Sequence, residues 1–181
     1  MKDTSLTAAL FIDGANLHLT AKALGFDIDY RKLLVHFQGR GTVLWAFFYA
    51  MIMEGQEYSS IRPLLDWLGY NGFTVIAKPV KELVDASGRR KTRGSMGIEI
   101  AVDAMRSAPH LDQMVLFSGN SDFHPLIKAI QRRGVRVSVV SSMCTQPPML
   151  ADELRRQADD FIDLIELKTL IRRDPAERAP R

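Results

Sequence analysis

A single cysteine, Cys144, occurs in the 181 residues, so no intramolecular disulfide can form and a thiolate zinc site is argued against. Histidine is also scarce. The four present, His18, His36, His110 and His124, match no metal-binding helix, which leaves oxygen ligands for any metal. No apolar run reaches membrane-spanning length, and the opening Met1-Lys2-Asp3-Thr4-Ser5 has no signal-peptide pattern. These absences lead us to expect a soluble, cytoplasmic chain with no membrane partner. Internal repeats are missing as well, and with 46% hydrophobic residues the chain most simply forms one domain over residues 1–171, followed by a polar, mobile tail at 172–181. The net charge of +3 is too small to identify a partner. Its distribution says more: Arg89, Arg90, Lys91 and Arg93 crowd between Gly88 and Gly94, although a solvated loop explains such a run equally well.

Two stretches share one grammar. Residues 8–17, Ala-Ala-Leu-Phe-Ile-Asp-Gly-Ala-Asn-Leu, run from apolar residues to Asp13, a glycine and then helical spacing. Residues 114–123, Met-Val-Leu-Phe-Ser-Gly-Asn-Ser-Asp-Phe, repeat the pattern and place Asp122 at the mouth of an amphipathic helix. Each reads as a strand delivering an acid to a sheet edge, where α/β proteins gather their chemistry. Taken singly, either acid has the plainer reading of a helix cap. As neighbouring parallel strands, they would bring Asp13 and Asp122 to one crevice.

Between and beyond them, strands alternate with helices. Strands are expected at 42–51, 73–78, 114–118, 135–140 and 161–162, with a hairpin turn at Gly88 in the polar stretch 81–95. Helices are expected at 15–24, after Asp29, at 57–70 with a start near Pro63, and at 96–107, 122–133 and 164–171, with a further one from Pro147 to about Gln157. The aromatic cluster of Trp45, Phe47, Phe48 and Tyr49 is expected in the core, and Cys144 as a small buried residue. The implied fold is a three-layer α/β/α sandwich around a mainly parallel sheet.

Residues 11–17 (FIDGANL), 93–103 (RGSMGIEIAVD), 118–123 (SGNSDF) and 154–163 (LRRQADDFID) together resemble the NYN domain family, in its LabA-like (DUF88) branch, a part of the PIN-like nucleases. The likeness covers roughly residues 7–165. It implies a Rossmann-like PIN fold and an acidic cluster holding Mg²⁺ or Mn²⁺ for hydrolysis of RNA phosphodiesters. Carried over by position, Asp13, Asp122 and Asp103 match the acids and Asn16 the amide beside the first of them. At Gly97 and Asn120 this chain departs from the pattern, since the family usually has acids there. Asn120 still offers a carbonyl oxygen and Gly97 no side chain. Glu99 lies about 200° around the helix from Gly97 and does not simply replace the missing acid. Asp103 and Glu99 also read as a solvated helix face.

The resemblance leads to two readings. In the first, Asp13 and Asp122 are primary ligands of a ribonuclease site, Asp103 and Asn120 assist, and Asn16 and Ser118 fix carboxylates or phosphate. Arg89, Arg90, Lys91 and Arg93 then grip RNA phosphates without reading sequence. In the second, the missing acids mark a non-catalytic module that binds RNA or another protein. A small-molecule phosphatase ranks below both, because no nucleophile motif accompanies Asp13. A symmetric homodimer stays open.

Overall fold

The computed structural model describes residues 6–53 and 60–176. Seven strands form one sheet in the order β4-β3-β2-β1-β5-β6-β7, with β1 at Thr7–Asp13, β2 at Thr42–Met53, β3 at Thr74–Val84, β4 at Arg90–Arg93, β5 at Gln113–Phe117, β6 at Arg136–Ser141 and β7 at Asp160–Asp163. Six strands run parallel. β4 alone is antiparallel, folded back on β3 as a hairpin whose turn holds Gly88 at φ +76°. That turn needs a left-handed residue, which glycine supplies without a Cβ clash.

The helices are α1 (Gly14–Ala23), α2 (Tyr30–Gln38), α3 (Arg62–Tyr70), α4 (Gly97–Ser107), α5 (His124–Gln131), α6 (Asp152–Gln157) and α7 (Leu164–Ile171). Because strand side chains alternate faces, β1 is buried on both sides. Leu10 and Ile12 pack with Phe48, Val115 and Phe117 under α1, α2, α3 and α7. Ala9 and Phe11 pack with Tyr49, Met114 and Leu116 under α4, α5 and α6. Connections leave β1 toward β2 on one side and reach β5 on the other, so the strand order reverses between β1 and β5. Crevices for ligands open at such a switch point, beyond the carboxyl ends of the strands.

Several expectations need correction. The helix anticipated from Pro147 begins only at Asp152. The preceding residues find their hydrogen bonds elsewhere: Met149 N–H donates to Ser142 O (3.0 Å) and to Thr145 Oγ1 (3.0 Å), and Ala151 N–H donates to Gly119 O (2.9 Å). Cys144 is exposed rather than buried. Phe48 and Tyr49 are core residues, but Trp45 and Phe47 are only half-buried. In α3 the helix starts at Arg62 with Pro63 in its first turn, as anticipated, while residues 57–59 lie outside the described residues. Arg172 and Arg173 are tied back to the α1–α2 connection through a bridge to Ile28 and a bond to Asp27 O. Residues 177–181 of the expected tail lie outside the described residues. No described helix is long and apolar enough to cross a membrane.

Candidate functional site

Asp13 ends β1 and caps α1: its Oδ1 accepts the Asn16 N–H at 3.2 Å. In the sheet Ile12 pairs with Phe117, so the next residue of each strand, Asp13 and Ser118, emerge side by side on one face. Ser118 is fully buried, and its Oγ donates to Asp13 Oδ2 at 3.2 Å. Ser118 Oγ also accepts the Asn120 N–H at 3.3 Å, and Asn16 Oδ1 accepts the Gly119 N–H at 3.2 Å. The turn after β5 therefore donates twice to the turn after β1.

Asn120 caps the short 3-10 turn 121–123. Its Oδ1 accepts the Asp122 N–H at 3.1 Å, and its Nδ2 lies 3.4 Å from Asp122 Oδ2. A continuous hydrogen-bonded chain thus runs from Asn16 and Asp13 through Ser118 and Asn120 to Asp122. Asp122 and Asn120 are exposed at the crevice mouth, and Asp13 is half-buried behind them. Burial pushes the Asp13 carboxyl above its usual pKa, against the opposing pull of the Asn16 N–H, the Ser118 hydroxyl and the Ala15 N–H. An ionised Asp13 would gain from a cation that replaces its lost hydration.

The close fit of this corner depends on two glycines. A Cβ at Gly14 would lie 2.7 Å from Tyr49 O, and one at Gly119 would overlap Met149 O and lie 2.6 Å from Ser141 Oγ. Residues 149–151 therefore lie directly against the β5 turn. Sequence reasoning missed this roof, whose signal was the glycine following a serine at a strand end. It also missed Ser141, whose Oγ is buried without a hydrogen-bond partner among the described residues.

Asp103 stands apart. It lies on α4, where its Oδ2 accepts the Tyr49 hydroxyl at 3.0 Å and its Oδ1 sits 4.0 Å from Arg106. Burial, reinforced by the Asp103 charge, raises the Tyr49 pKa, so the phenol remains a proton donor to Asp103. Glu99 belongs to a different pair: its Oε1 meets Lys78 Nζ at 2.6 Å, and this bond holds its carboxyl below the usual range. Among the described residues, no three of aspartate, glutamate, histidine and cysteine converge closely enough to hold a metal ion. Arg89 is exposed beside the hairpin turn, and Arg90, Lys91 and Arg93 belong to β4. His18 is exposed and His124 half-buried.

The protein is 32% identical, over 180 residues, to the low amplitude and bright protein LabA of Synechococcus elongatus, with 95% of this chain and 93% of that protein covered. A crystal structure of a protein of unknown function, VPA0982 of Vibrio parahaemolyticus, superposes with a TM-score of 0.75 at 25% identity, covering 91% of this chain and 96% of the other. The model of the NYN domain matches residues 7–166, which takes in both acid-bearing turns and every strand, and on that match the chain belongs to the NYN domain family.

Proposed function

We propose that the protein is a metal-dependent ribonuclease that hydrolyses RNA phosphodiester bonds at the Asp13 crevice, in the cytoplasm. The observation that carries this reading is a half-buried carboxylate with a raised pKa, held by Ser118 and linked to a second, exposed acid at the switch point of the sheet. Two carboxylates and an amide form an all-oxygen donor set. It suits Mg²⁺ or Mn²⁺, hard cations that keep several waters and are held by one or two carboxylates plus substrate phosphate. Asp13 and Asp122 would hold the cation, with the Asn120 carbonyl beside them. When bound, the ion supplies an activated water and neutralises charge building on the phosphate.

The remaining residues position. Ser118 and the Asn16 N–H fix the Asp13 carboxylate in one orientation, and the Asn16 amide locks the β5 turn against α1. Asn120 orders the backbone that presents Asp122. Arg89, Arg90, Lys91 and Arg93 of the hairpin attract RNA phosphates, with an affinity that falls as salt rises. Asp103 is left out of the ligand set, because Tyr49 and Arg106 already engage it.

The test is cleavage of labelled single-stranded RNA with Mg²⁺ or Mn²⁺, beside EDTA and an Asp13→Ala control. Metal-dependent cleavage that falls about 10²-fold or more in Asp13→Ala supports the reading. A second reading rests on Gly97 and Asn120, which stand where the family usually has acids, and on the lack of a group of three metal-binding side chains among the described residues: a catalytically inactive module that binds RNA or a protein. RNA binding without cleavage would favour it, provided that a variant carrying Gly97→Asp and Asn120→Asp then cuts.

A further inference from the structure

A second cleft lies on the α4 side of the sheet, away from the strand ends that carry Asp13. It has a volume of about 330 Å³ and is lined by Trp45, Phe47, Asp103, Arg106, Ser107 and His110. Trp45 pairs with Ala9 in the sheet, four residues before the Asp13–Tyr49 pair, or about 13 Å down the strand.

Its chemistry is mixed in a particular way. Trp45 and Phe47 are nearly parallel, 6.3 Å apart at 27°, and the His110 ring stands edge-on to Trp45 at 6.0 Å. Both Trp45 and Phe47 remain half-buried, so an aromatic wall reaches solvent. On the α4 side stand one carboxylate and one guanidinium. The Tyr49 hydroxyl occupies one acceptor site of Asp103 Oδ2, which leaves the second site of that oxygen and both sites of Oδ1 to accept further hydrogen bonds. The Arg106 side chain is 79% exposed and approaches that carboxylate only to 4.0 Å, so it is free to swing to an anion.

We propose that this cleft is a nucleobase subsite that takes a guanine nucleotide unit. The base stacks on the Trp45–Phe47 wall, its adjacent N–H donors bond to the Asp103 carboxylate, and Arg106 meets the attached phosphate. Aromatic stacking combined with recognition of a base edge is how proteins select single-stranded RNA. A guanine has two neighbouring N–H groups on its pairing edge and a uracil only one, so the carboxylate favours guanine. The proposal extends the ribonuclease reading and rests on it for the polymer, since a base held here lies along the same sheet face as the proposed cleavage centre.

The test reads Trp45 fluorescence in a Trp67→Phe background, which leaves one tryptophan. Guanosine monophosphate, uridine monophosphate and ribose 5-phosphate are titrated separately. The expected result is a saturable change with guanosine monophosphate, weaker binding of uridine monophosphate, and none with ribose 5-phosphate. Asp103→Asn, which keeps an acceptor for Tyr49, and Arg106→Ala at an exposed position should each weaken guanosine monophosphate about tenfold. No saturable change up to about 10 mM, equal response to ribose 5-phosphate, equal affinity for the two nucleotides, or unchanged affinity in Asp103→Asn would each overturn the proposal. The two readings fail separately: base binding by a chain that cuts no RNA removes the nuclease alone, and cleavage without base binding removes the subsite alone.

Discussion

Replacing Gly119 by alanine tests whether the roof over the β5 turn is as tight as the geometry requires. The added Cβ would overlap Met149 O and lie 2.7 Å from Met149 C, both backbone atoms that no side-chain rotation can move. Relief requires the roof segment to withdraw by more than an ångström. Overpacking of this kind costs about 1–3 kcal/mol. Withdrawal also endangers the Ala151 N–H bond to Gly119 O, at 2.9 Å, and the Gly119 N–H bond to Asn16, at 3.2 Å, each worth about 1 kcal/mol. The expected destabilisation is about 2–5 kcal/mol, a large part of the roughly 5–15 kcal/mol that holds a domain folded. For a chain of this size it lowers Tm by about 5–15 °C. Urea unfolding of both proteins gives the difference, with an unchanged m-value confirming that the denatured state is the same. A loss below about 0.5 kcal/mol would refute the close approach, because ordinary surface substitutions fall in that range.

Other outcomes follow from the same geometry. Because the folded chain raises the Asp13 pKa, it binds that proton more tightly than the unfolded chain; the associated stability is complete below the ordinary aspartate pKa and is lost as pH rises through the raised value. Asp13→Asn should therefore unfold at higher urea than the parent at pH 7, the gap closing near pH about 3; a gap that persists in acid would contradict the burial argument. Gly69 lies inside α3 with nothing within 4 Å of an added Cβ, so Gly69→Ala should stabilise by about 0.5–1 kcal/mol in the same assay. At Gly97, the first residue of α4, an added Cβ meets only Ser95 Oγ at 3.6 Å, and an acid suits a helix N-terminus. Gly97→Asp combined with Asn120→Asp should thus fold normally and bind Mn²⁺ more tightly than the parent by calorimetry, and equal affinity would remove the missing acids as an explanation. Replacing Arg89, Arg90, Lys91 and Arg93 by glutamine should lower the slope of log affinity for single-stranded RNA against log salt by about 0.7 for each phosphate that the hairpin no longer neutralises, and an unchanged slope would exclude the hairpin from binding.

The strand ends at Asp13 and Asp122 were legible because each is encoded locally, by an apolar run, a glycine and a capping side chain within a few residues. The sheet that brings them together followed from the alternation of strands and helices. What was hidden is non-local. Helical periodicity put Asp103 and Glu99 on one side of α4, but it carried no information about which strands lie beneath. Tyr49 takes the first and Lys78 the second, across 54 and 21 positions of sequence. Segment 147–151 misled for a related reason: paired prolines suit a helix start, yet Gly119, Ser142 and Thr145 satisfy its backbone instead. Hydrophobicity alone points Trp45 and Phe47 to the core, and it does not record that no more than part of their surface is covered.

Among the described residues, β4 pairs only with the end of β3, at residues 81–84, beyond the stretch 74–80 that pairs with β2. Residues 81–93 can lengthen, shorten or exchange charge without touching the pairings of the six parallel strands, on which the acid-bearing turns depend. The sheet is thus divided into a parallel part of fixed geometry and a peripheral hairpin that can vary. Descendants of one ancestral chain can then diverge in the hairpin while the corner formed by Asp13 and Ser118 stays untouched.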